Sequence, residues 1–146
     1  MRLNRSTDIG LRILMLAAAR DDLLTIDELA ASLAVPRSHL AKVVQRLQHR
    51  GLLDTVRGRN GGVRLAATAR DASAGELIRD LEGETEVADC DGEPACPLSG
   101  GCRLRGALRA AQEAFYASLD PFTISDLAAP PVRRTLLTLG RYRETS

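Results

Sequence analysis

The stretch Thr25–Gly51, TIDELAASLAVPRSHLAKVVQRLQHRG, decides the fold. Thr25-Ile26-Asp27-Glu28 is a capping-box pattern: hydroxyl and carboxylate each accept a backbone N–H that the first helical turn leaves unpaired. It predicts a helix to about Leu33. Val35-Pro36 then breaks the chain, and Pro36 suits the first position of a second helix running to about Arg50. Gly51 is a suitable residue to end it. Leu40, Val43, Val44 and Leu47 recur at helical spacing and predict its buried stripe. On the opposite face Ser38, Lys42, Gln45 and His49 form one continuous polar stripe, with His39 and Arg46 beside it.

Downstream, Leu52–Val56 and Val63–Leu65 are short strand-like runs around Arg57-Gly58-Arg59-Asn60-Gly61-Gly62, which reads as a hairpin. Upstream, a helix from Ser6 or Thr7 to about Ala19 is apolar almost all round and should be deeply packed. Two helices joined by a short turn, then a hairpin, make a winged helix-turn-helix. The fold class is mainly α with a small β-hairpin wing. A polar helix face alone is commonly just solvated. Here it stands beside Arg57, Arg59 and Asn60 at the hairpin tip, in residue types that bond base edges and phosphates. Ser38, His39, Lys42, Gln45, Arg46, His49, Arg57, Arg59 and Asn60 are therefore the candidate contacts to double-stranded DNA.

The remainder is organised differently. Ser73-Ala74-Gly75-Glu76 is a second capping-box pattern, opening a helix to about Glu82. Residues 83–101 form an acidic loop rich in Gly and Pro, and a long helix follows from about Arg103 to Leu119. On that helix Leu104, Leu108, Ala111, Phe115 and Ser118 form a heptad-like seam, suited to a symmetric dimer or to packing on its own head. Residues 125–140 are weakly helical, interrupted by Pro130-Pro131. The expected division is 1–67, DNA-binding head; 68–102, helix and cysteine loop; 103–146, dimerisation helix and C-terminal segment.

Charge follows this division. The chain has 146 residues and a net charge of +1. Residues 1–66 carry eleven Arg/Lys against six Asp/Glu, 67–102 two against nine, and 103–146 seven against four. A basic front and an acidic middle point to one polyanion-binding face and one segment kept off it. Aromatics are 3% with no Trp, which argues against a stacking platform for single strands. No window reaches the roughly 18 apolar residues of a membrane span. Asp8 and Arg12 interrupt the stretch that imitates a signal peptide, so the expected location is the cytoplasm. No nucleophile–base pair or phosphate loop is visible, and the glycines at 58–62 sit in a hairpin, so no enzyme is expected.

Cys90, Cys96 and Cys102 are spaced C-x5-C-x5-C. An odd number disfavours a disulfide framework, and the spacing lacks the close pairs of zinc sites. Thiolates of a wide Gly/Pro loop suit an iron–sulfur cluster, though mobile free thiols would have the same sequence. Three thiols leave one iron of a cubane without a protein thiolate, and a carboxylate is a candidate for it.

Taken in order, Thr7-Asp8 with Arg12, Val35-Pro36 with His39 and Lys42, Arg46-Leu47-Gln48, Gly58-Arg59-Asn60-Gly61-Gly62 and the three cysteines resemble one family. It is the winged-helix iron–sulfur repressors of the IscR/NsrR type, matched over roughly residues 1–128. The runs 79–84, Cys96-Pro97-Leu98 and 111–116 are similar to its actinobacterial, nitric-oxide-sensitive members. That resemblance implies a homodimeric repressor on a palindromic operator. It implies a 4Fe–4S cluster held by Cys90, Cys96, Cys102 and Asp8 of the other subunit, with Arg12 beside it. Nitrosylation of the cluster would release the operator and derepress nitric oxide detoxification genes. By its residues alone, Asp8 is a helix-N-terminal acid paired with Arg12 at i+4. Some relatives supply a His three residues after the third cysteine for a 2Fe–2S cluster. Arg105 stands there and is not a plausible iron ligand; a 2Fe–2S sensor of redox state or cluster supply is the alternative.

Overall fold

The computed structural model describes residues 1–140. Its elements are α1 (Arg5–Ala19), α2 (Ile26–Leu33), α3 (Arg37–His49), β1 (Leu53–Val56), β2 (Gly62–Leu65), a 3-10 turn (Ala67–Ala69), α4 (Ala74–Glu82), α5 (Arg103–Leu119), α6 (Ile124–Leu127) and α7 (Val132–Thr138). They group into two compact units. One is Asn4–Ala72 with residues 123–140; the other is Ser73–Phe122 with Met1–Leu3.

In the first unit, Asn4 rather than Ser6 or Thr7 opens α1, its Oδ1 accepting the Thr7 N–H at 2.8 Å. Ile13, Leu14 and Leu16 are fully buried, as expected of an apolar-all-round helix. The capping box of α2 forms in both directions: Thr25 Oγ1 accepts from the Glu28 N–H at 3.1 Å, and Glu28 Oε2 from the Thr25 N–H at 2.8 Å. The turn after α2 is made by Ala34 in the left-handed conformation, φ 53°. Pro36 stands at the N-cap of α3 rather than at its first helical position. Leu40, Val43, Val44 and Leu47 are buried, and Gly51 has φ 70° just beyond the helix.

The wing is an antiparallel hairpin with Leu53 opposite Leu65 and Val56 opposite Gly62. Its second strand is pinned near the turn to the segment before α2, where Leu24 N–H donates to Val63 O at 2.9 Å and Val63 N–H to Leu24 O at 2.8 Å. A Cβ at Gly62 would lie 2.7 Å from the Leu24 carbonyl oxygen, so only glycine permits this approach. Helices α6 and α7 return to pack on α1. Ile124 is fully buried there, and the Arg20 guanidinium bonds the Leu139 carbonyl.

In the second unit, Ser73 Oγ accepts the Glu76 N–H at 3.3 Å, the serine half of the expected box. A second reciprocal box, like that of α2, forms in the first unit at Thr123 and Asp126, before α6. Helix α4 packs against α5, Gly75 allowing α4 to approach the Tyr116 carbonyl and the Asp120 carboxylate closely. Arg79 lies over the Tyr116 ring at 5.1 Å and pairs with Glu113 at 2.7 Å. Along α5 only Tyr116 is buried. Leu104 is 64% exposed, Leu108 and Phe115 are half-buried, and Ala111 and Ser118 are exposed.

Candidate nucleic-acid interface and metal centre

The apolar stripe of α3 is fixed to the core, so its opposite face must point to solvent. Ser38, Lys42, Gln45 and His49 are exposed along it, and Arg46 is partly so. Lys42, Gln45, Arg46 and His49 line an open recess of about 570 Å³ together with Arg50. Arg50 was missed in the sequence reading, although its place four residues after Arg46 puts it on the same side. A cation-rich recess beside amide and imidazole groups is chemically suited to phosphate and base edges. His39 is turned inward relative to that stripe: its Nε2 stands 3.5 Å from Ser6 Oγ on α1.

The wing tip presents Arg57, Arg59 and Asn60 to solvent. Gly58 there has φ 113°, a conformation that side-chain-bearing residues rarely adopt. The wing is joined to α3 by a hydrogen bond from Gln48 Nε2 to Thr55 Oγ1. Gln48 lies off the polar stripe, and a contact seven residues along the chain has no local sequence signal.

Asp8 lies in the first turn of α1 and is gripped by Arg12 through both oxygens, Nε to Oδ1 at 2.9 Å and Nη2 to Oδ2 at 2.7 Å. Both side chains are about half exposed, 44% for Asp8 and 54% for Arg12. The carboxylate is thus ordered and reachable, but any new partner must share it with Arg12.

Cys90, Cys96 and Cys102 belong to the second unit, are free thiols and are each partly exposed. The Cys96 N–H donates to the Cys90 carbonyl at 2.9 Å, and Cys102 is the N-cap of α5. Among the described residues no group of three or more His, Cys, Asp or Glu side chains is gathered closely enough to hold a metal ion. The donors nevertheless fit a cluster in kind: three free, reachable sulfurs on one Gly/Pro loop, whose gathering by metal is the usual coupling of binding to folding. Burial raises the Cys90 thiol above its ordinary value, while Arg105 acts in the opposite sense.

Arg105, one helical turn after Cys102, is fully engaged. Its Nε and Nη2 bond the two oxygens of Glu86, each at 3.0 Å, and Nη1 bonds Asp91 Oδ1 at 3.1 Å. Its side chain is only 15% exposed. Arg109 Nε adds a second cation on Glu86 at 2.9 Å, and Gln112 Nε2 donates to the Thr85 carbonyl at 2.7 Å. Arg105 and Arg109 hold the Glu86 carboxyl down to about 2 from its ordinary 4.5.

Residues 3–130 match the family Rrf2, described as Iron-dependent Transcriptional regulator. The chain is 53% identical over 142 residues to the HTH-type transcriptional repressor NsrR of Streptomyces coelicolor, covering 95% of this chain and 96% of that one. It is 37% identical over 131 residues to the HTH-type transcriptional regulator NsrR of Geobacillus kaustophilus, covering 87% and 89%. Among solved structures, the oxidized form of Staphylococcus aureus CymR superimposes with a TM-score of 0.67 at 26% identity, over 88% of this chain and 96% of that one. With a winged helix in place and agreement over nearly the whole length, the chain belongs to the Rrf2 family of transcriptional regulators.

Proposed function

We propose that the chain is a homodimeric, cytoplasmic repressor that binds a palindromic operator and senses nitric oxide through a 4Fe–4S cluster. Cys90, Cys96 and Cys102 hold that cluster together with Asp8 of the partner subunit. In this reading residues 1–67 read DNA, 68–102 carry the cluster segment, and α5 pairs the subunits. The observation that carries the cluster type is the engagement of Arg105. The position where a fourth ligand of a 2Fe–2S site would stand holds a guanidinium already committed to two carboxylates, and guanidinium has no acceptor to offer iron.

When bound by the three thiolates and the Asp8 carboxylate, the cluster would supply iron reactive towards nitric oxide, the hard carboxylate being the more exchangeable ligand among soft thiolates. The protein's own residues do the rest. Asp8 sits in the first turn of α1, in the same unit as the recognition helix α3. A carboxylate lent across the dimer therefore ties one subunit's reading head to the other subunit's cysteine loop. Its release changes the spacing of two recognition helices, which must match half-sites roughly 34 Å apart. Arg12 receives the freed carboxylate through the two bonds it makes to Asp8. The seam of Leu104, Leu108, Ala111 and Phe115, none of them buried, supports a symmetric pairing of α5. The implied targets are genes for nitric oxide detoxification.

Anaerobic purification, the iron and sulfide content per subunit, the absorption spectrum and nitric oxide titration against operator binding test this together. The expected result is four irons per subunit and loss of specific DNA binding on nitrosylation. Two irons per subunit with a redox response would establish the 2Fe–2S alternative. Absence of any footprint at a palindrome would overturn the repressor reading.

A further inference from the structure

The second unit contains a polar ladder that the proposed sensing chemistry does not use. On α5, Arg105, Arg109 and Gln112 follow one another at one-turn intervals, and all three take partners from the segment 85–91. This segment leads directly into Cys90. Arg105 is the central rung. It bonds Glu86, four residues before Cys90, and Asp91, the residue after it, while itself lying one turn beyond Cys102. One guanidinium thus crosslinks the two ends of the cysteine loop.

Three features argue for geometry rather than charge. Arg105 and Arg109 face Glu86 and Asp91, two cations against two anions, so the ladder carries no net charge to lend a thiolate. Arg105 is far less exposed than Arg109, 15% against 56%, as suits a planar fork that bonds two carboxylates through all three of its nitrogens. Single exposed ion pairs contribute little, whereas a shared network with one largely buried member resists opening. Placing Cys90 also places Cys96, because the Cys96 N–H is bonded to the Cys90 carbonyl. Within the loop, closing it before metal arrives removes part of the entropy cost of gathering three distant ligands.

We propose that Arg105 is a positioning residue for the cysteine loop, holding Glu86 and Asp91 so that Cys90 stands in register with Cys102 when the cluster binds. This rests on the reading of the loop as the cluster site.

The test uses the full chain with Arg105→Lys, and separately with Glu86→Gln and Asp91→Asn. Lysine keeps the charge but cannot grip two carboxylates with a fork. Hydrogen–deuterium exchange of amides 85–91 is read on the cluster-free chain. Iron loss to a chelator and the visible circular dichroism of the cluster are read after reconstitution. Arg105→Lys should speed exchange in 85–91 and iron loss each by about 10-fold, and alter the visible dichroism. Glu86→Gln and Asp91→Asn should move the same readouts in the same direction. Wild-type iron loss and dichroism in Arg105→Lys, with or without faster exchange, would overturn the positioning role. A wild-type chain that takes up no cluster would overturn the loop reading and this inference with it, and is told apart because it precedes any variant.

Discussion

Ser6 Oγ and His39 Nε2 stand 3.5 Å apart, joining the first turn of α1 to the first turn of α3. Asp8 lies two residues beyond Ser6 on the same turn. A displacement of Asp8 therefore has a short path to α3. Ser6→Ala should weaken operator binding by no more than about 1.5 kcal/mol, the worth of one neutral hydrogen bond. It should also reduce the difference in operator affinity between the cluster-loaded and nitrosylated protein. Fluorescence anisotropy on both states checks this; an unchanged difference would remove the path.

The exposed stripe of α3 predicts direct DNA contact. Lys42→Ala and Arg46→Ala should each weaken operator binding by about 1–3 kcal/mol if they meet bases, or lower the salt slope by about one unit if they meet phosphate. Arg50→Ala should behave as a phosphate contact, since it shares their recess. Binding isotherms across a salt series separate the two cases. Wild-type behaviour in all three variants would mean that this face does not touch DNA.

Ligand roles are separable by single substitutions. Cys90→Ala, Cys96→Ala or Cys102→Ala should each abolish a stable cluster. Asp8→Ala should still assemble one, more labile and shifted in spectrum, since a cubane survives on three protein ligands. A heterodimer of one Asp8→Ala chain and one chain lacking all three cysteines then distinguishes cis from trans ligation. Trans ligation gives a wild-type spectrum, and cis ligation gives the Asp8→Ala spectrum.

Ala34 adopts φ 53° at the end of α2, where its Cβ crowds the following carbonyl. Glycine has no such penalty, so Ala34→Gly should stabilise the fold by about 1 kcal/mol and raise Tm by about 2–4 °C. Thermal unfolding checks it. A lower Tm would show that glycine's unfolded-state entropy outweighs the relief of strain.

The Glu86 carboxyl is held at about 2, against its ordinary 4.5, first by its hydrogen bonds to Arg105 and then by those to Arg109. A carboxyl lowered on folding contributes stability above its ordinary value and loses it as the pH falls through its folded value. Glu86→Gln should therefore unfold at a lower temperature than wild type near neutrality, and the gap should narrow from about pH 4.5 towards 2. A pH series of melting curves measures this, and a gap that stays constant into acid would refute the pairing.

Much of the first unit was legible in residue order because its signals are local. The box at Thr25 and Glu28, the stripe Leu40/Val43/Val44/Leu47 and the turn at Gly51 each lie within a few residues of what they determine. The helix expected from Arg103 to Leu119 has those same bounds in the structure. The box at Ser73 formed only its serine half, and Pro36 shifted by one position. Such details depend on side-chain geometry that a pattern does not encode. The nine DNA-contact candidates are assembled on α3 and the wing tip, all at least partly exposed, with His39 turned towards α1.

The sequence alone thus determined the helix-turn-helix, its polar face and the set of three thiols, since capping, helical period and residue chemistry act over one or two turns. Tertiary structure alone decided the bridge of Leu24 to Val63 that demands glycine at 62, and the return of α6 and α7 onto α1. It also decided the clamp of Arg105 on Glu86 and Asp91. Each joins residues far apart in the chain. No short-range period marks such partners, because burial and hydrogen-bond geometry select them only when the chain has closed on itself.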